Sequence, residues 1–94
     1  MTKRKSDDEP EHPGTVIATT LSDHNRSAAA RRLGVSRNAL YNVMNGTSSV
    51  TPEMAVRVEQ SYGVPADKLI EMQGKHDIWE ARQRLKNEGK EGKS

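Results

Sequence analysis

Between Gly14 and Val50 the sequence carries Arg26, Arg31, Arg32 and Arg37 against a single acid, Asp23, which makes that block +3. The residues before it sum to −1 and those after it to 0, so the chain's net +2 is set here. Every base in the block is arginine. Its planar guanidinium fork fits a phosphate or a guanine edge through two parallel hydrogen bonds, which a lysine ammonium does not match. Arg37 is followed by Asn38, Tyr41 and Asn42. Asn pairs bidentately with adenine, and the ring of Tyr41 can touch a thymine methyl. Arg26, Ser27, Ser36, Asn45, Thr47 and Ser48 flank these four with donors suited to phosphates. The chemistry on offer is the reading of double-stranded DNA. Four arginines alone are met equally well by a solvated basic face, so spacing has to decide.

Other chemistries find little support. The chain has no Cys, so neither a disulfide framework nor a thiolate metal site is available. His12, His24 and His76 are scattered, without a second ligand at helical or motif spacing, so no metal and no cofactor is expected. His76 reads as a hydrogen-bonded packing residue and His24, beside Asp23, as a surface one. Nucleophile–base pairs, paired acids and phosphate-cradling glycines are missing, so the chain does not read as an enzyme.

Helices must position the DNA-facing residues. Residues 1–11 are charged and aperiodic and read as a mobile tail, closed by His12-Pro13-Gly14. Pro13 suits the first turn of a first helix, whose apolar face is Val16, Ile17, Thr20 and Leu21. Asn25 caps a second, Ala-rich helix that Gly34 stops. Ser36 caps a third, Arg37 to Met44, with Ala39, Leu40 and Val43 inward and Asn45-Gly46 closing it. Thr51-Pro52-Glu53 opens a fourth, carrying Met54, Ala55, Val58 and Tyr62 to Gly63. A fifth begins near Ala66-Asp67 and runs to about Glu88. No period-2 run survives, so the fold class is all-α with five helices.

Arg26–Asn45 has the spacing of a helix-turn-helix. Two helices crossing closely need a small contact residue, met by Ala30. The tight turn needs a left-handed residue, met by Gly34. Inner positions must be apolar, met by Ala29, Leu33, Val35, Leu40 and Val43. A plain helical hairpin is the competing reading. It has no need for Gly at that turn, and it does not usually gather Arg, Asn, Tyr and Asn on one exposed face.

Composition adds a demand for a partner. Hydrophobic residues are 32% of the 94, Leu, Ile and Val together number 15, and Phe is absent. Such a chain buries a modest core and needs strong helix propensity, a partner, or both. Helix five carries two apolar stripes: Ile70, Gly74, Ile78, Ala81 and Leu85 on one side, Leu69, Met72, His76 and Trp79 on the other. Two stripes mean burial on both sides. One faces the core and the other a twin subunit, or helix five is central in the monomer. Gly74 allows close approach or breaks the helix. There is no transmembrane run and no apolar segment after the charged N-terminus, so a cytoplasmic protein without membrane association is expected.

From His12 to about Gln83 the sequence resembles the HigA/VapI-type antitoxins of the Xre, lambda-repressor-like family. The residues that carry the likeness are His12-Pro13-Gly14, Leu33-Gly34-Val35-Ser36-Arg37-Asn38-Ala39-Leu40, Asn45-Gly46, Thr51-Pro52-Glu53-Met54-Ala55-Val56-Arg57, Met72-Gln73 and Asp77-Ile78-Trp79-Glu80-Ala81-Arg82. The turn is generic to Xre proteins, and the other blocks are narrower signals. Arg26 stands where such proteins often carry a phosphate-clamping Gln. The resemblance implies a five-helix lambda repressor-like domain, set at 12–88, with the helix-turn-helix at helices two and three; residues 89–94 read from the sequence as a disordered end. It further implies a homodimer that binds operator DNA, represses its own operon and neutralises a HigB-type, mRNA-cleaving toxin. The alternatives are a free-standing Xre repressor without a toxin partner and a small helical adaptor that has lost DNA binding.

Overall fold

Helix starts in this chain are fixed by side chains that accept orphan backbone N–H groups. In the computed structural model, which describes residues 9–92 and side chains as far as residue 87, the Asn25 carboxamide accepts from Ala28 N at 2.9 Å and opens α2 (Arg26–Leu33). Ser36 Oγ accepts from Ala39 N at 3.0 Å and opens α3 (Arg37–Met44). Thr51 Oγ1 accepts from Met54 N at 3.2 Å, and Pro52 takes the first position of α4 (Pro52–Tyr62). Pro13, at the N-cap of α1 (Gly14–Thr20), offers no side-chain acceptor. His12 does its work, its Nδ1 accepting from Gly14 N at 2.8 Å.

Helix ends are equally local. At α2, Val35 N reaches the Ala30 carbonyl and Gly34 N the Arg31 carbonyl, with Gly34 at φ +71°. This paired closure needs a left-handed residue, and Gly34 supplies it. At α3, Thr47 N reaches the Asn42 carbonyl and Gly46 N the Val43 carbonyl, the same arrangement. Among the described residues there is no strand.

The helices close around Ile17, Leu21, Leu33, Leu40, Val58 and Leu69, all almost fully buried, with Ala29, Ala30, Val43, Val50, Met54, Ala55 and Ala66 filling between them. α1 packs on α3, α2 on α3 and α4, and α4 on α5 (Ala66–Gly92). Leu21 lies one residue past the end of α1, and Val16 and Thr20 are half-buried, so the apolar face of that short helix is narrower than its periodicity implies. Gly14 sets how closely α1 meets α3: a Cβ there would run into the Val43 carbonyl oxygen and crowd His12 Nδ1.

α5 runs unbroken through Gly74 and on to Gly92, past the expected end near Glu88. Gly89 costs a helix only about 1 kcal/mol, too little to stop it between strong helix formers. The inward stripe holds Leu69 and His76 buried and Met72 and Trp79 half-buried, joined by buried Gln73. Residues 9–11 of the expected tail are tied down. Glu9 faces His76, and a Glu11 carboxylate oxygen accepts from Thr15 Oγ1 at 2.7 Å. The rest of that tail, and side chains from residue 88 on, lie outside the described residues. No described helix is long and apolar enough to cross a membrane.

Candidate nucleic-acid interface

α3 is held by its inner side and offers its outer side to solvent. Leu40 and Val43 are buried against α1 and α2, while Arg37 and Asn38 are exposed and Tyr41 is 56% exposed. An exposed tyrosine of that extent on a well-packed helix is not needed by the core. Arg26, the first residue of α2, meets Arg37, Asn38 and Tyr41 around one cavity of about 430 Å³, floored by Leu40 and Met44. The turn thus brings the arginine from the start of one helix onto the outer face of the next. Among the described residues neither Arg26 nor Arg37 takes part in an ion pair, so both forks are available to a ligand.

The remaining expected contacts divide. Ser36 is exposed beside Arg37, and its Oγ accepts from Ala39 N while its O–H is left to donate. Ser27 is half-buried in the first turn of α2, and Asn45 is exposed at the end of α3. Asn42 is half-buried and does not line the cavity with Arg37. Thr47 spends its hydroxyl on the Asn42 carbonyl at 3.0 Å, and the Thr47 and Ser48 amides donate to that same oxygen. Ser48 lines a second, polar cavity with Asp77 and Glu80, whose carboxylates oppose a phosphate. The structure gathers Arg26, Arg37, Asn38 and Tyr41 around one cavity, with Ser36 exposed next to Arg37 in the chain, and sets Thr47 and Ser48 apart from it.

Three supporting residues escape a reading by residue type. Arg57 on α4 bonds Glu53 at 3.1 Å and lies against Gly34, so α4 braces the turn. Gln73 on α5 accepts from the buried Val50 amide at 2.8 Å and donates to Asp77 at 2.8 Å, which fixes the loop between α3 and α4. His12 caps α1, hydrogen-bonds the Ser48 backbone and packs edge-on against His76 with ring centroids 5.0 Å apart. Burial lowers its pKa from 6.5, the charge of His76 acts the same way, and Asp77, Glu80 and the Ser48 bond oppose both. The His-Pro-Gly opening was the one sequence signal for this strut.

On the proposed twin-facing stripe, Ile70 is half-buried against the core, Gly74 is open, Ala81 is half-buried, and Ile78 and Leu85 are 53% and 62% exposed.

The helix-turn-helix family model matches residues 21–69, which covers α2, α3 and α4 and reaches into α5. Among solved structures, a protein from Nostoc punctiforme described as the antidote of a plasmid maintenance system is 35% identical, with 92% of this chain and 97% of that one covered and a TM-score of 0.80. A HigA-family addiction module antidote from Coxiella burnetii is 27% identical over 88% of this chain and 90% of its own, at a TM-score of 0.68. A Pseudomonas aeruginosa protein solved with its 28-bp operator DNA shares the fold at 22% identity and a TM-score of 0.73, covering 85% of this chain and 91% of that one. No curated protein matches the sequence. The chain belongs to the Xre-type helix-turn-helix family, and the structures it is similar to include plasmid antidotes and a HigA-family antitoxin.

Proposed function

We propose that this chain is the antitoxin of a HigBA-type module, which binds operator DNA as a homodimer, represses its own operon and neutralises an mRNA-cleaving HigB-type toxin. One observation carries the DNA-binding part: Arg37, Asn38 and Tyr41 project outward on a rigidly packed α3 and share a cavity with Arg26. In this reading Arg37, Asn38, Tyr41 and Asn42 meet base edges in the major groove. Arg26, Ser27, Ser36 and Asn45 hold phosphates, helped by the positive ends of α2 and α3, and Thr47 and Ser48 join them once their hydroxyls turn outward. The P. aeruginosa neighbour, which shares this fold and was solved with its operator DNA, supports DNA binding.

The dimer rests on Ile70, Gly74, Ile78, Ala81 and Leu85. Ile78 and Leu85 are uncovered within one chain, and a twin packed along α5 buries them. Two such copies place their α3 helices about 34 Å apart, one turn of DNA, on a near-palindromic site. The toxin reading draws support from the antidotes it resembles.

Footprinting on the DNA upstream of its gene, with co-expression beside the neighbouring gene, tests both parts. Protection of a palindromic site together with rescue from toxin-induced arrest supports the antitoxin reading. Protection without rescue makes the chain a free-standing Xre repressor. Loss of both leaves a helical adaptor.

A further inference from the structure

Under the loop that follows α3, α5 presents His76, Asp77 and Glu80 within an arc of about 100° around the helix. One donor atom from each lies within 4.8 Å of the other two, so His76, against the expectation from sequence, does have carboxylate neighbours at helical spacing. The His76 side chain is 8% exposed, whereas Asp77 and Glu80 are open to solvent. All three line one polar cavity of about 100 Å³.

The buried His76 ring separates this group from an acidic patch. Its Nε2 faces the Glu9 carboxylate at 3.4 Å. The buried Nδ1 has no hydrogen-bond partner. Unmatched buried polar atoms are rare because leaving one costs its full desolvation. A carboxylate behind the far N–H is the arrangement that orients metal-bound histidines and raises their basicity. Asp77 has matching support: Gln73 Nε2 donates to its Oδ1, and Gln73 is itself fixed by the Val50 amide. The other orphaned buried atom among the described residues, Trp79 Nε1, is an N–H donor and cannot hold a cation. His12 does not compete, because its Nδ1 already accepts from Gly14 and its ring hydrogen-bonds the Ser48 backbone.

We propose that His76, Asp77 and Glu80 form a binding site for a divalent transition-metal ion of the zinc class, with water completing the shell. One imidazole among two carboxylates favours such an ion over magnesium or calcium, which take all-oxygen sites. The ion sits where the residues before α1, the loop after α3 and the middle of α5 meet, so its binding stabilises that junction.

Trp79 is the single tryptophan, and its ring centroid lies 5.9 Å from that of His76, which makes it a local reporter. The test titrates the full chain, stripped with EDTA, with zinc chloride near neutral pH. The expected result is a saturable change in Trp79 fluorescence, one zinc per chain by calorimetry, a raised Tm, and no displacement by equimolar magnesium. Glu80→Gln, at an exposed position, keeps the fold by circular dichroism and weakens zinc at least about tenfold. Asp77→Asn, which retains the Gln73 bond, weakens it further. No saturable zinc binding, equal affinity in Glu80→Gln and the parent, or magnesium competing on equal terms each overturns the site.

Discussion

Arg37 and Arg26 line one cavity but sit on it differently, and their losses separate base reading from phosphate holding. Arg37→Ala is expected to cost about 1–3 kcal/mol on the operator and to relax specificity at one base pair, measured by anisotropy titration on a panel of single-base variants. Arg26→Ala is expected to weaken all sequences alike and to flatten the slope of log affinity against log salt by about one. The outward placement of both side chains was legible because residue type and cap position fix which side chains point outward. The use of the Thr47 hydroxyl was not, since it depends on which acceptor, Asn42 O or a phosphate, lies nearer. Gly14 and Gln73 belong to the same class. Gly14→Ala drives a methyl into the Val43 carbonyl and should destabilise by about 1–3 kcal/mol in urea melts. Gln73→Met keeps the volume but leaves the Val50 amide unpaired, again costing about 1–3 kcal/mol.

The boundaries of α2, α3 and α4 were readable because each is decided within a few residues. Asn25, Ser36 and Thr51 cap, Gly34 and Gly63 stop, and the structure places each as its chemistry requires. What joins one helix to another was hidden. Gln73 is polar in an inward stripe, and its buried carboxamide oxygen is satisfied by an amide 23 residues away. His12 is similar, tying the start of α1 to the loop after α3 and to α5. Its lowered pKa gives that strut a pH signature. An imidazole that protonates less readily when folded leaves the unfolded chain binding more protons below 6.5. Stability is therefore complete above that value and falls as the pH drops through it. Thermal melts in EDTA are expected to lose Tm from pH 7 down to about 5, before most carboxylates titrate. His12→Asn, which can still accept from Gly14 N, should flatten that descent, with His76, Asp77, Glu80 and Glu9 left as the ionisable groups around the junction.

For the whole molecule, the shortage of apolar residues and the exposed stripe of α5 point to the same need. A single chain closes its core around small helices yet leaves Ile78 and Leu85 in water, with Val56 at 43% exposure on α4. Ile78→Lys is expected to shift sedimentation toward the monomer and to weaken operator binding, because one α3 then reads one half-site. An unchanged dimer would move the interface off this stripe. DNA reading by α3 is tested most directly by comparing DNA from immediately upstream of the gene with a scrambled duplex of equal length. The titration uses the parent chain and Arg37→Ala at fixed salt. The expected result is a preference of at least about 10³-fold for the upstream DNA, much reduced in Arg37→Ala. Equal affinity for the two duplexes, or a preference that Arg37→Ala leaves untouched, contradicts it.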